Sequence, residues 1–145
     1  MKSIIRYSGI VLLAAMALVP SSQAANEIYS TNLNATIPDG NLSGLSHSRT
    51  IASDIVTMSS VRVTLNIEGE FNGDLYGYLR HIHSGGTNFV VLLNRPGRGS
   101  STNDPGYADS GLNVTFADGA ANGDIHFYQN VSTPPSGTQL TNTWQ

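Results

Sequence analysis

Val61-Arg62-Val63-Thr64-Leu65-Asn66-Ile67-Glu68 alternates apolar and polar residues without a break. A side-chain period of two sends one set to a dry face and the other to water, as in a half-buried strand. Val61, Val63, Leu65 and Ile67 are therefore assigned to a core, and Arg62, Thr64, Asn66 and Glu68 to solvent. A helix would scatter the same four apolar residues around its circumference. Asn72-Gly73-Asp74-Leu75 has turn composition, and two more strand-like runs follow, Leu75 to Ile82 and Phe89 to Leu93. Ser84-Gly85-Gly86-Thr87 separates them as a second turn. The pattern predicts three antiparallel strands in a meander.

Working outward, residues 27–37 read as an opening extended segment, Pro38 to Ser48 as a turn region, and Thr50 to Met58 as a strand. Arg95 to Ser110 is a long loop punctuated by Pro96 and Pro105. Leu112 to Phe116 and Ile125 to Tyr128 read as short strands, and Thr133-Pro134-Pro135-Ser136-Gly137 as a loop. Short strands at this spacing, with no convincing helix after residue 24, predict an all-β sandwich or jelly roll. Residues 25–145 are read as one domain.

Ile37-Pro38-Asp39, Val61/Val63, Gly73-Asp74-Leu75, Gly86-Thr87 and Val91-Leu92-Leu93-Asn94-Arg95 occur in that order, followed by Phe116-Ala117-Asp118. This ordered set, over roughly residues 30 to 128, resembles the P domain that accompanies the catalytic domain of subtilisin-like proprotein convertases. The likeness extends to stand-alone, exported bacterial P-domain proteins. The resemblance implies a jelly-roll-like β-sandwich of the galactose-binding-like kind. It also implies a non-catalytic role beside a protease, either structural or in protein interaction. In that family the Phe-x-Asp segment precedes a further Trp-containing strand and a final Asp. Here Asn142-Thr143-Trp144-Gln145 follows without such a strand, so the sandwich is expected to be incomplete at its C-terminus, as a shortened domain or a fragment.

The N-terminus reads as a secretory signal peptide: Lys2 and Arg6, an apolar run from Gly9 to Val19, then Ser22-Gln23-Ala24 as a cleavage site after Ala24. The apolar run is shorter than the roughly 20 residues that span a bilayer. The expected location is thus secreted, periplasmic or cell-surface, with no membrane span once the signal is removed. Removal of Lys2 and Arg6 from seven basic residues leaves five against ten acidic ones, a net charge of −5 with no lysine. Nucleic acid and anionic membrane need clustered basic side chains, so neither is an expected partner. A protein or glycan at the cell surface is. The absence of cysteine removes thiol catalysis and thiolate metal sites.

No Gly-x-Ser-x-Gly elbow accompanies the four histidines, and a Ser-His-Asp triad is not expected. Asp104, Asp109, Asp118 and Asp124 lie in or beside Gly/Asn-rich loops, where free carbonyls can join carboxylates around calcium. They are the candidate metal residues, calcium the candidate cofactor, and turn formation the competing role. His81 and His83 share a strand face, a spacing that two ligands of one ion could use if a third came from His126 or Glu68. Asp74 is expected to fix a turn, and Arg95 to pair with Asp74 or Asp118. Tyr76, Tyr78 and Arg80 share the face opposite Leu75 and Leu79; packing under a second sheet is expected, with stacking on sugar or a partner as the alternative. A calcium-assisted carbohydrate or surface-binding module is accordingly the second functional reading.

Overall fold

The computed structural model describes residues 25–101 and 103–145. The signal-peptide reading of residues 1–24 lies outside them. The chain divides into two compact units, Met1–Ile55 and Val56–Gln145.

In the first unit, residues 25–55 contain no helix or strand. Local order comes from Arg49, which donates to the Ser30 carbonyl at 2.8 Å and lies 5.2 Å over the Tyr29 ring. No strand forms over residues 50–58. The reason is visible in the pattern: Ile51, Ala52, Ile55, Val56 and Met58 have no period of two. The Ser53 hydroxyl also accepts the Ile55 N–H at 3.0 Å, a local bond that competes with strand pairing.

The second unit is all-β, with two small sheets. Strands β1 (Arg62–Ile67), β4 (Leu112–Ala117) and β5 (Thr143–Trp144) form the first, in the order β1-β4-β5. Strands β2 (Tyr76–His83) and β3 (Gly86–Asn94) form the second, an antiparallel hairpin. Alternation in β1 is realised over Val63, Leu65 and Ile67, which pack on the core with their neighbours exposed, whereas Val61, also expected in the core, precedes the strand and is exposed. The expected meander is not. β1 pairs antiparallel with β4, matching Val63 to Phe116, Leu65 to Val114 and Ile67 to Leu112, so both apolar faces point the same way. On the wet face the Thr64 and Thr115 hydroxyls meet at 2.9 Å. After β1 the chain turns through Phe71 (φ 61°) into the 3-10 turn Asn72–Asp74 and starts the hairpin in the other sheet.

Two further segments differ from their expectation. Ile125–Asn130 is a 3-10 turn, not a strand. The Asp124 carboxylate accepts the His126 N–H and starts it, and the three-residue period buries Ile125 and Tyr128 together. The C-terminal residues do form a strand: β5 runs parallel to β4, with Phe116 beside Trp144. Trp144 is fully buried and its indole N–H donates to the Thr141 carbonyl at 2.7 Å. Leu92 and Leu93 of the hairpin, Leu112, Val114 and Phe116 of β4, Ile125, Tyr128, Leu140 and Trp144 make one core.

Trp144→Ala removes the largest fully buried side chain and should cost about 3–5 kcal/mol in urea unfolding. Leu42→Ala, at a fully exposed position, should change stability by less than about 0.5 kcal/mol in the same assay.

Candidate functional site

Three of the four loop carboxylates in the candidate calcium set, Asp104, Asp109 and Asp124, are hydrogen-bonded within the fold. Asp104 accepts the Gly99 N–H at 2.8 Å and the Gly106 N–H at 3.0 Å, and these bonds, Gly106 first, hold its carboxyl below the ordinary range. Asp109 accepts the Tyr128 hydroxyl and the Gln129 amide, both at 2.7 Å. Asp124 caps the 3-10 turn and meets His126 Nδ1 at 2.6 Å. Asp118 is exposed in the turn after β4. Among the described residues no three Asp, Glu or His side chains converge as metal ligands.

His81 and His83 do share a face of β2, with ring centroids 5.2 Å apart, but the rings stack. His83 Nδ1 accepts the Gly85 N–H at 3.1 Å, so in the neutral ring the proton sits on Nε2. A metal would have to displace one or the other.

Asp124 and His126 have the outline of an acid–base pair. The far ring nitrogen decides against that use: His126 Nε2 accepts the Asn94 backbone N–H at 2.7 Å. With Nε2 as acceptor and Nδ1 facing the carboxylate, the imidazole is a strut between the 3-10 turn and the end of β3. The His126 carbonyl adds a second link by accepting the Gly97 N–H at 2.8 Å. Burial pushes the Asp124 carboxyl up, but the bonds from His126 outweigh it and the net displacement is downward.

Beneath the loops lies a buried polar knot that sequence reading missed. Asn72 is 1% exposed, and its amide donates to the Gly111 carbonyl and the Tyr128 hydroxyl, each at 3.1 Å. Its Oδ1 accepts the Gly111 N–H at 2.9 Å. Tyr128 passes its own proton toward Asp109, and burial together with that carboxylate pushes its phenol well above the usual range. The glycines around Asn72 carry the trace in sequence. A Cβ on Gly73 would collide with the Pro105 carbonyl, and one on Gly111 (φ 89°) with the Ile67 carbonyl. As expected, Arg95 pairs with Asp74 at 3.0 Å; its Nε also donates to the Gly73 carbonyl at 3.2 Å.

The hairpin is different in kind. Tyr76, Tyr78 and Phe89 form a row on one face, with centroid spacings of 6.3 and 4.9 Å. Arg80 pairs with Phe89, and Val91 with Tyr78, on that same face. The expected packing of the tyrosines under a second sheet does not occur: Tyr78 is 56% and Phe89 57% exposed. Val90 on the opposite face is exposed as well. Leu92 and Leu93, near the base, enter the core, and Leu79 packs against it. This exposed apolar ribbon is the candidate interaction site.

Asn72→Ala should cost about 1–4 kcal/mol in urea unfolding, because three buried hydrogen bonds are lost, although the Gly111 N–H keeps the Asp109 carbonyl and the Gly111 carbonyl keeps the Leu140 N–H. Tyr128→Phe should cost about 1–2 kcal/mol, since Gln129 still holds Asp109. Asp104 and Asp124 are both lowered in the fold, so their contribution is present above the unfolded carboxylate value near 4 and is lost as pH falls through the folded values. Urea midpoints measured between about pH 5 and 2 should therefore fall less steeply for the Asp104→Asn/Asp124→Asn variant than for wild type. Comparison of the chain with protein-family models, curated proteins and solved structures found no match in any of the three.

Proposed function

We propose that the chain is an exported, non-catalytic β-module that acts by protein interaction through the β2–β3 ribbon. The observation that carries this is the exposed row Tyr76, Tyr78 and Phe89 beside Arg80, on a hairpin rooted in the core at Leu92 and Leu93. Isolated exposed apolar residues need no explanation, but a contiguous patch of aromatic side chains with an arginine has the make-up of a binding surface. The ordered motif set resembling convertase P domains supports an accessory role beside a serine protease and a jelly-roll-like completion of the two sheets. A non-catalytic role fits the commitment of His126 to the Asn94 backbone and of Asp109 to Tyr128 and Gln129. Among the described residues no helix is long and apolar enough to cross a membrane.

Sugar stacking is the weaker reading of the same face. A pyranose platform calls for flat, co-oriented rings, whereas Tyr76 and Tyr78 are inclined at 57° and Tyr78 and Phe89 at 36°. Tilted rings flanking a guanidinium suit an irregular protein surface better.

The test adds the purified chain in trans to a subtilisin-type serine protease and measures binding by calorimetry and the protease's half-life at elevated temperature. Binding with a longer half-life is expected. Tyr78→Ala should weaken the association roughly 30-fold, about 2 kcal/mol, as for the loss of an interface anchor. Peptide-bond hydrolysis by the chain alone would overturn the proposal. Calcium-dependent binding to a glycan panel, with no protease association, would overturn it in favour of the carbohydrate reading.

A further inference from the structure

The two strands of the hairpin differ at their outer edges. Among the described residues neither edge is paired, since the second sheet consists of β2 and β3 alone. β2 carries Arg80, His81 and His83 along its length. β3 reads Gly86-Thr87-Asn88-Phe89-Val90-Val91-Leu92-Leu93-Asn94, with no ionisable side chain and no proline. Free edges are ordinarily blunted by charge, proline or a bulge. The register irregularity of this hairpin falls between Gly77 and Tyr78, at its base, and leaves the outer stretch regular. Thr87 to Val91 is exposed along its whole length.

From this we infer that the outer edge of β3 pairs with the same edge of a second copy of the chain, closing a four-stranded antiparallel sheet in the order β2-β3-β3-β2. The inference rests on the proposed interaction role of the ribbon and names its partner.

Charge selects a second copy. The chain has a formal net charge of −3, so two copies repel in most orientations. An edge without a single charge is where two such molecules can approach without that penalty, and it offers an oppositely charged partner nothing to read. Two-fold symmetry supplies the register. An axis normal to the sheet keeps each residue on its own face, so each residue must meet one of the same parity. An axis at Phe89 places Phe89 against its symmetry mate, Thr87 against Val91 and Asn88 against Val90. All five of these positions lie in the exposed stretch. The pairing also makes the aromatic row continuous, Tyr76–Tyr78–Phe89 running into its copy. It avoids Leu92 and Leu93, which belong to the core. The edges left outside are the two β2 strands, guarded by Arg80, His81 and His83, so association stops at two chains and does not propagate.

The experiment uses the full chain in analytical ultracentrifugation over a concentration series. A monomer–dimer equilibrium is expected for wild type. Phe89→Lys and Phe89→Glu place like charges directly opposite each other across the axis and should each be monomeric, while a mixture of the two should recover the dimer. Recovery on mixing shows that both variants are folded. Because the chain has no cysteine, Phe89→Cys should give a single disulfide-linked dimer on mild oxidation. A wild-type monomer at every concentration, a dimer that survives both charge variants, or an open polymer would each overturn the pairing. A wild-type monomer that still binds the protease, with binding weakened by Tyr78→Ala, would sink the self-pairing and leave the interaction role standing. Loss of both associations would sink the two together.

Discussion

One buried amide holds the loop ends of this fold together. Asn72 reaches from the turn before β2 to the start of β4 at Gly111 and to Tyr128 of the 3-10 turn. In water each such bond contributes only about 1 kcal/mol net, yet leaving a buried partner unpaired costs more than making the bond gains. The knot therefore acts less as a source of stability than as a penalty on alternatives. Any arrangement that moves Asn72 away from Gly111 and Tyr128 leaves its own buried amide without those partners, out of water. The close approaches at Gly73 and Gly111 follow from it, because the backbone must come nearer than any side chain permits.

That constraint accounts for the path of the chain. A meander would carry β1 straight into β2. Instead Asn72 is drawn under Gly111, Phe71 takes a left-handed conformation, and β2 begins in a different sheet. β1 is then free to pair with β4, whose alternation matches its own residue for residue. The base of the hairpin is fixed from several sides: Arg95 N–H to the Leu75 carbonyl at 2.8 Å, the Arg95–Asp74 pair, and the Asn94 N–H on His126. Arg95 itself sits at φ 54°, a conformation unusual for a side chain of its size, and the bonds at its amide and guanidinium hold it there.

How much of this could be read in the chain depends on the range of the interaction. The alternation of β1 and β4 is local, so both strands stand in the sequence nearly to the residue. Pairing partners are not local, and the choice of β4 over β2 for β1 rests on Asn72, a residue with the composition of a turn. Ile125 to Tyr128 misleads because a spacing of three satisfies a 3-10 turn as well as an apolar run satisfies a short strand. β5 is only two residues long, below what any periodicity can register, and its strand character comes from the Leu140 and Asn142 carbonyls accepting N–H groups of β4. Of the candidate site residues, Asp74 with Arg95 was legible as an ion pair from their flanking positions. The exposure of Tyr76 and Tyr78 was not, because a period of two says which side chains share a face and nothing about whether that face is covered.

Asp104, Asp109, Asp124 and His126, which first suggest chemistry, are here spent on holding the fold. Asp104 closes a loop on two N–H groups, Asp124 starts a turn, Asp109 ends a hydrogen-bond chain, and His126 accepts from a strand. A group so engaged is poorly placed to bind or transfer a proton, because the fold would have to give up the bond first. The hairpin beyond Tyr78 carries the opposite balance, with few such bonds and apolar side chains open on both faces. A two-stranded ribbon is marginal in water without a third strand or a covering surface. Its base is pinned by the core and its outer half is not, so the free energy of local opening must fall along its length. Whatever engages the outer half must offset the entropy of ordering it, while the base at Asn94 and Arg95 is already fixed by its own bonds.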